Sequence, residues 1–217
     1  MVHERSLRQG YVLAGGKSRR MGQDKALLSF GGRPLGVWVA ERVRQVCGKV
    51  AVVGDPAKYA GWGFPVAQDL FADSGPLGGI HAALSHSEAE LNLVVGCDMP
   101  YLSPEFLEWL LRIAGETEAD AVVPTSAEFG YEPLCAVYKP SCLVRVEQAL
   151  QAGRRRISEV FPDLQLQAVA PAEWRTYDLQ GRLFQNLNTR EDYEQARREL
   201  LGPLEDVCYK AKTDLRG

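Results

Sequence analysis

The chain has 217 residues, with 25 Lys and Arg against 28 Asp and Glu, for a formal net charge of −3. Hydrophobic residues make up 46% and charged residues 24%. That is enough apolar material for a core of domain size, and it excludes disorder as the main state. The net acidity also argues against a general, non-specific binder of nucleic acid, although it says nothing of local patches.

A short strand is predicted over residues 9–13, running into the glycine-rich text AGGKSRRMG. Pro34 opens an amphipathic helix with Leu35, Trp38, Val39, Arg42, Val43 and Val46 on one stripe. Arg42 can cover that stripe with its aliphatic stem. Gly48 ends the helix, and KVAVVG reads as a strand buried on both faces. After a loop rich in Pro, Gly and Trp come FPVA and QDLFADSGPLGGI, which enters a helix near residues 80–87. LNLVVGCD is the strongest buried strand.

Ser103-Pro104-Glu105 combines an N-cap, a proline at the first helical position and an acid in the first turn, and Gly115 closes that helix. ADAVVPT and PLCAVYK read as further buried strands, and a helix over residues 141–152 ends at Gly153. Residues 162–181 read as irregular, and LFQNLN as strand-like. Thr189 then caps a final helix, with Asp192 as the acid of a capping box, and Gly202-Pro203 stops it. Residues 1–202 are expected to form one domain and residues 203–217 a loosely held tail.

Apolar strands alternating with helices predict βαβ units and an α/β fold with a doubly wound, mainly parallel sheet, Rossmann-like in kind. Ligands in such sheets bind beyond the carboxyl ends of the strands, so the loops after strands carry the interest.

The five cysteines are odd in number and form no Cys-x-x-Cys pair, which argues against a disulfide framework or a zinc site. Reduced, buried thiols in a cytoplasmic protein are the expectation. The first ten residues hold no apolar run of the signal-peptide kind, and no apolar run is long enough for a membrane span. His3, His81 and His86 offer no His-x-x-x-His pair and read as surface or core histidines.

Three loops carry unusual chemistry. The first, LAGGKSRRMGQDK, departs from both common phosphate motifs. A Walker A loop would need a glycine at Tyr11, and the dinucleotide fingerprint fails because Gly15 and Gly16 are adjacent. It concentrates Lys17, Arg19, Arg20 and Lys25 against Asp24, a charge of +3 within nine residues of an acidic chain. Glycines, strand placement and charge together favour a polyphosphate over a merely solvated basic loop.

The second loop holds Asp69 and the run SGPLGGI, which composition reads simply as a tight turn before a helix. The third places Asp98 directly after a buried strand. An acid there faces the ligand crevice and calls for a cation. Mg²⁺ on a triphosphate uses one or two carboxylates besides phosphate and water, and Asp98 suits that role. An Asx turn before Met99-Pro100 is the structural alternative.

LAGGKSRRMGQDKALL resembles the signature L-x-G-G-x-S-x-R-M-G-x-D-K of nucleotidyltransferases, in particular the molybdenum cofactor guanylyltransferases. The likeness extends through the Gly-Pro-Leu-Gly-Gly-Ile run, Cys97-Asp98-Met99-Pro100 and the segment Phe184-Gln185-Asn186-Leu187-Asn188-Thr189, where Arg190 replaces the usual proline. The stretch after the second strand, where the family often has Asn, reads Val52-Val53-Gly54-Asp55.

The resemblance implies nucleotide contacts at Leu13, Ala14, Gly15, Gly16, Lys25, Asp69, Gly75, Pro76, Leu77 and Asp98. It implies catalytic charge from Lys25, Arg19 and Asp98, with Mg²⁺ on Asp98. The carboxylate of Asp69 either accepts guanine N–H groups or holds its own loop. Asn186 and Asn188, expected to share one face of a strand, are the acceptor candidates, helped by one arginine of the Arg154-Arg155-Arg156 run, taken as Arg156. Their structural alternatives are backbone capping and a solvated face. Glu132-Pro133-Leu134 resembles the family's acceptor-side segment.

The implied partners are GTP, bound by the amino-terminal half, and molybdopterin or the molybdenum cofactor, bound by the carboxyl-terminal half. Other molybdenum cofactor proteins are implied as further partners, with neither nucleic acid nor membrane, and the protein is expected as a monomer or weak oligomer. A cytidylyltransferase or another nucleotidyltransferase of the same fold, and a carrier that binds without turnover, are the alternatives.

Overall fold

The computed structural model describes residues 7–15, 24–71, 74–126, 130–178 and 180–202. In chain order the elements are β1 (Arg8–Leu13), β2 (Ser29–Phe30), β3 (Arg33–Pro34), α1 (Leu35–Cys47), β4 (Val50–Val53), α2 (Pro56–Tyr59), β5 (Val66–Ala67) and α3 (Gly75–His86). Then follow β6 (Leu91–Gly96), α4 (Pro104–Glu116), β7 (Ala121–Ser126), β8 (Gly130–Tyr131), β9 (Cys135–Tyr138), α5 (Cys142–Gln151), β10 (Leu166–Val169), α6 (Pro171–Trp174) and α7 (Arg190–Leu201).

Strand order across the main sheet is β10-β7-β9-β6-β1-β4-β5, with β8 paired to β7. β1, β4, β5 and β6 run parallel, as do β7 and β10. β9 is inserted antiparallel between β6 and β7. The sheet is thus mainly parallel, with helices on both faces.

The strands read as unbroken apolar runs because both faces are covered. Alternate residues serve opposite layers. Val12, Val52, Leu93 and Val95 pack with α1 and α4, while Tyr11, Ala51, Val53 and Val94 pack with α3 and α5. Gly10 lets α1 approach β1 closely, since a Cβ there would lie 2.1 Å from Val43 Cγ1. Arg42 covers the α1 stripe as anticipated, its guanidinium 3.8 Å from the Trp38 ring centre. Burial, with the nearby charge of Arg33, lowers its pKa to about 10.

Capping follows the local chemistry. Ser103 accepts from Phe106 N at 3.2 Å, and Thr189 and Asp192 form the reciprocal box. Ser103→Ala is expected to cost about 1 kcal/mol, read as a lower urea midpoint at unchanged slope. An unchanged midpoint would show that the cap does not hold α4.

Three expectations need correction. α3 starts at Gly75, not near residue 80, because Pro76 sits in its first turn after Ser74. Residues 162–181 contain a four-residue edge strand, β10, in which Gln167 breaks the apolar run. LFQNLN is not a strand: Leu183, Phe184 and Leu187 are buried at spacings that do not alternate, and a turn from Arg182 to Gln185 breaks the run.

Cys47, Cys97, Cys135 and Cys142 are free and buried. Burial pushes each thiol up, Cys47 and Cys142 to about 12. Cys208 and His3 lie outside the described residues. Among those described, no helix is long and apolar enough to cross a membrane.

Candidate active site

β1 and β6 lie side by side in parallel register. Their carboxyl ends therefore bring the first and third loops together. Leu13 O accepts from Cys97 N at 3.1 Å, and Ala14 N donates to Val53 O at 2.9 Å. Gly15 follows at φ +106°, a backbone conformation open to glycine. Gly16 and Arg19 lie outside the described residues.

Asp24 resumes the described chain and caps a single 3₁₀ turn, Lys25–Leu27. From that turn Lys25 Nζ donates to Asp98 Oδ2 at 3.0 Å and to Asn188 Oδ1 at 2.8 Å. The Lys25 and Asp98 side chains are only 15% and 22% exposed, so their charges interact with limited screening. Asn188 is brought in by its neighbour, because Leu187 N donates to Asp98 O at 2.9 Å. Leu187 and Phe184 anchor that segment in the core shared with α1 and α4. Asn186 is half-buried beside it.

The second loop flanks this centre on the α3 side. Asp69 Oδ1 accepts from Phe71 N at 2.9 Å, so the carboxylate does hold its own loop. Gly78 leaves room for it, since a Cβ there would lie 2.8 Å from Asp69 Oδ2. Gly79 does the same for Leu13, whose Cδ2 would be 2.7 Å away. Gly75, at φ +59°, and Pro76 are exposed at the helix start. Leu77 is fully buried. The start of α3 presents backbone N–H groups of the kind that suit anions.

The acceptor candidates separate onto two sides. Asn186 and Asn188 stand with the α1 and α4 layer. Arg154, Arg155 and Arg156 follow α5, with Arg155 O 3.9 Å from where a Gly75 Cβ would sit. Glu159 turns this run, accepting from Arg155 N and Arg156 N. The Arg155 backbone therefore borders the second loop at Gly75. Glu132, buried at the same sheet edge, accepts from Ser126 Oγ at 2.6 Å.

Reading the residues in order overlooked Tyr59. Its hydroxyl donates to Asp24 Oδ2 at 2.6 Å, and its ring fills the space that Gly54 leaves. Gly54 is thus a packing position. The one available signal was the acid beside Lys25.

Among the described residues, no group of three or more His, Cys, Asp or Glu converges in a metal-like cluster. A magnesium triphosphate needs less from the protein, one or two carboxylates. Asp98 suits it, since a Lys25 ammonium already stands against its carboxylate.

A family model described as the MobA-like NTP transferase domain matches residues 10–169. A Desulfosudis oleivorans protein named molybdenum cofactor guanylyltransferase is 38% identical over 190 residues, covering 86% of this chain and 93% of that one. A protein of the same name from Syntrophotalea carbinolica is 32% identical over 189 residues, covering 87% and 90%. The crystal structure of molybdopterin-guanine dinucleotide biosynthesis protein A from Archaeoglobus fulgidus matches with a TM-score of 0.78 at 29% identity, covering 88% of this chain and 98% of that one. These likenesses and the sheet-edge site define a nucleotidyltransferase of the α/β class. The chain belongs to the MobA-like NTP transferase family, among its molybdenum cofactor guanylyltransferases.

Proposed function

We propose that the protein transfers GMP from GTP to the terminal phosphate of molybdopterin or the molybdenum cofactor, working in the cytoplasm. The observation that carries this reading is the meeting of Lys25, Asp98 and Asn188. They are separated by 73 and 163 residues from Lys25, yet lie within hydrogen-bond distance of it. The first loop, through Lys25, the third loop, through Asp98, and the Asn188 segment, each resembling a motif of one family, thus meet at a single ammonium group. Buried free thiols support a reducing compartment.

In the reaction, an oxygen of the acceptor phosphate attacks the α-phosphorus of GTP. The bond from α-phosphorus to the bridging β-phosphate oxygen breaks, and pyrophosphate leaves. The nucleophile is already ionised near neutral pH, so no general base is required. The chain's work is orientation and charge neutralisation.

Backbone groups of Leu13, Ala14, Gly15 and Gly16, with Gly75, Pro76 and Leu77, hold the nucleotide beside Asp69. Lys25 and Arg19 neutralise the triphosphate. Asp98 would hold Mg²⁺, which when bound supplies positive charge to the phosphate oxygens. Lys25 is the group that would exchange Asp98 for a phosphate oxygen. Asn186, Asn188 and Arg156 are proposed for the acceptor, approached from the two sides of the sheet edge, with Glu132 behind them.

The test is a thermal-shift panel of GTP, CTP, UTP and ATP with Mg²⁺, followed by pyrophosphate release with and without molybdopterin. GTP is expected to stabilise most, by about 2.7 kcal/mol at a hundredfold excess over Kd, and release is expected to require the acceptor. Preferential stabilisation by CTP would move the protein to the cytidylyl branch. GTP binding without release in the presence of acceptor would make it a carrier.

A further inference from the structure

Lys25 lies twelve residues beyond the end of β1, outside its ladder. What fixes its backbone is local: Leu27 N donates to Asp24 O and Leu28 N to Lys25 O, both at 3.1 Å. That turn is in turn held by the Asp24 carboxylate, whose Oδ1 accepts from Ala26 N at 3.1 Å. The other oxygen, Oδ2, accepts from the Tyr59 hydroxyl at 2.6 Å and lies 3.5 Å from Lys58 Nζ.

Tyr59 is completely buried and is itself immobilised. Its ring packs against Trp62 at 4.6 Å between centroids. A Cβ on Gly54 would come within 2.5 Å of the ring and of Ala14 O, so glycine at 54 lets the ring lie against the start of the first loop. The hydroxyl lies 3.6 Å from where a Gly15 Cβ would sit. One buried side chain thus touches the strand end of the first loop and ties down its other end. A buried phenol needs an acceptor, and among the described residues Asp24 supplies it. Burial, and then Asp24, push the phenol pKa upward, which keeps it a proton donor at all working pH.

Resting on the nucleotidyl-transfer reading, we propose that Tyr59 is a positioning residue: through Asp24 it clamps the turn that aims Lys25, so that the ammonium can pass from Asp98 and Asn188 to the substrate phosphates without movement of the backbone beneath it. The clamp spans α2 and the 3₁₀ turn, which share no sheet ladder. Rigidity at this point matters because a misplacement of a catalytic charge by about 1 Å can cost a hundredfold in rate.

The test combines Tyr59→Phe, which removes one oxygen from an unchanged ring, with Asp24→Ala and the double variant. Turnover of GTP with acceptor is measured beside the side-chain ¹⁵N resonance of the Lys25 ammonium in the ligand-free protein. Tyr59→Phe is expected to lower kcat about tenfold, with the KM for GTP within about twofold. The Lys25 resonance, sharp in the wild type because Asp98 and Asn188 hold it, is expected to broaden in both single variants.

The double variant is expected to be no slower than Asp24→Ala, because both substitutions break one linkage. Tyr59→Phe with wild-type kcat and an unchanged Lys25 resonance would overturn the proposal. So would a double variant slowed by the product of the single effects. If Tyr59→Phe does not fold, the resonance in Asp24→Ala decides: broadened in support, sharp against. A wild-type protein that releases no pyrophosphate would count against the GMP-transfer reading, while the Lys25 resonance would still judge the clamp.

Discussion

Lys25→Met is expected to reduce pyrophosphate release from GTP by about 10²- to 10³-fold, the usual loss when a preorganised charge is removed from a phosphoryl centre. Methionine keeps the aliphatic stem and deletes the ammonium, so packing around the 3₁₀ turn is retained. The loss should fall on kcat and kcat/KM together if the ammonium acts mainly in the transition state. The ligand-free protein should also lose about 1–2 kcal/mol, because Asp98, which has little access to solvent, is left without its Lys25 partner. That cost is measured by urea unfolding. Turnover within tenfold of wild type would remove Lys25 from the machinery.

Asp98→Asn is the second large effect. The amide can still accept from Lys25, so the ligand-free fold is expected to hold. What disappears is the negative charge at the end of β6, and with it the means of holding a divalent cation. Turnover should fall by about 10²-fold or more, and raising Mg²⁺ should not restore it. Thermal stabilisation by GTP should become nearly independent of Mg²⁺, whereas in the wild type it is expected to depend on it. A variant that keeps the Mg²⁺ dependence of GTP binding would show that the metal is held elsewhere.

The two variants probe one contact from opposite sides. In the ligand-free chain Lys25 and Asp98 neutralise each other, at 3.0 Å and largely out of water. Ligand and metal would separate them, each taking a new partner. Their single substitutions should therefore combine non-additively in turnover. Tyr59 and Asp24 belong to the same account one step back, since they set where Lys25 starts from.

Much of the fold was legible because its signals are local. Unbroken apolar runs marked β4, β6, β7 and β9, since each strand is buried on both faces. Ser103 and Thr189 announced helix starts through side-chain oxygens that reach three residues ahead. The run from Leu183 to Asn188 misled, because strand-like composition is common to any buried extended segment. Among the described residues no strand pairs with it, and Leu187 N instead donates to Asp98 O. β10 was missed for the opposite reason: it is a four-residue strand at the sheet edge, and Gln167 interrupts its short apolar run.

The candidate site divides in the same way. The sequence by itself determined which loops carry chemistry: glycines and cations after β1, an acid after β6, and the segment that places asparagines before α7. Residue type and spacing within a few positions decide these things. Only the tertiary structure decided that Lys25, Asp98 and Asn188 share one hydrogen-bonded cluster, that the Arg155 backbone borders the second loop, and that Tyr59 reaches Asp24. Those meetings depend on β1 lying beside β6, and on core packing that seats Leu187 and Tyr59. Strand order and packing are set by the summed burial of the whole chain, so no local stretch of sequence encodes them.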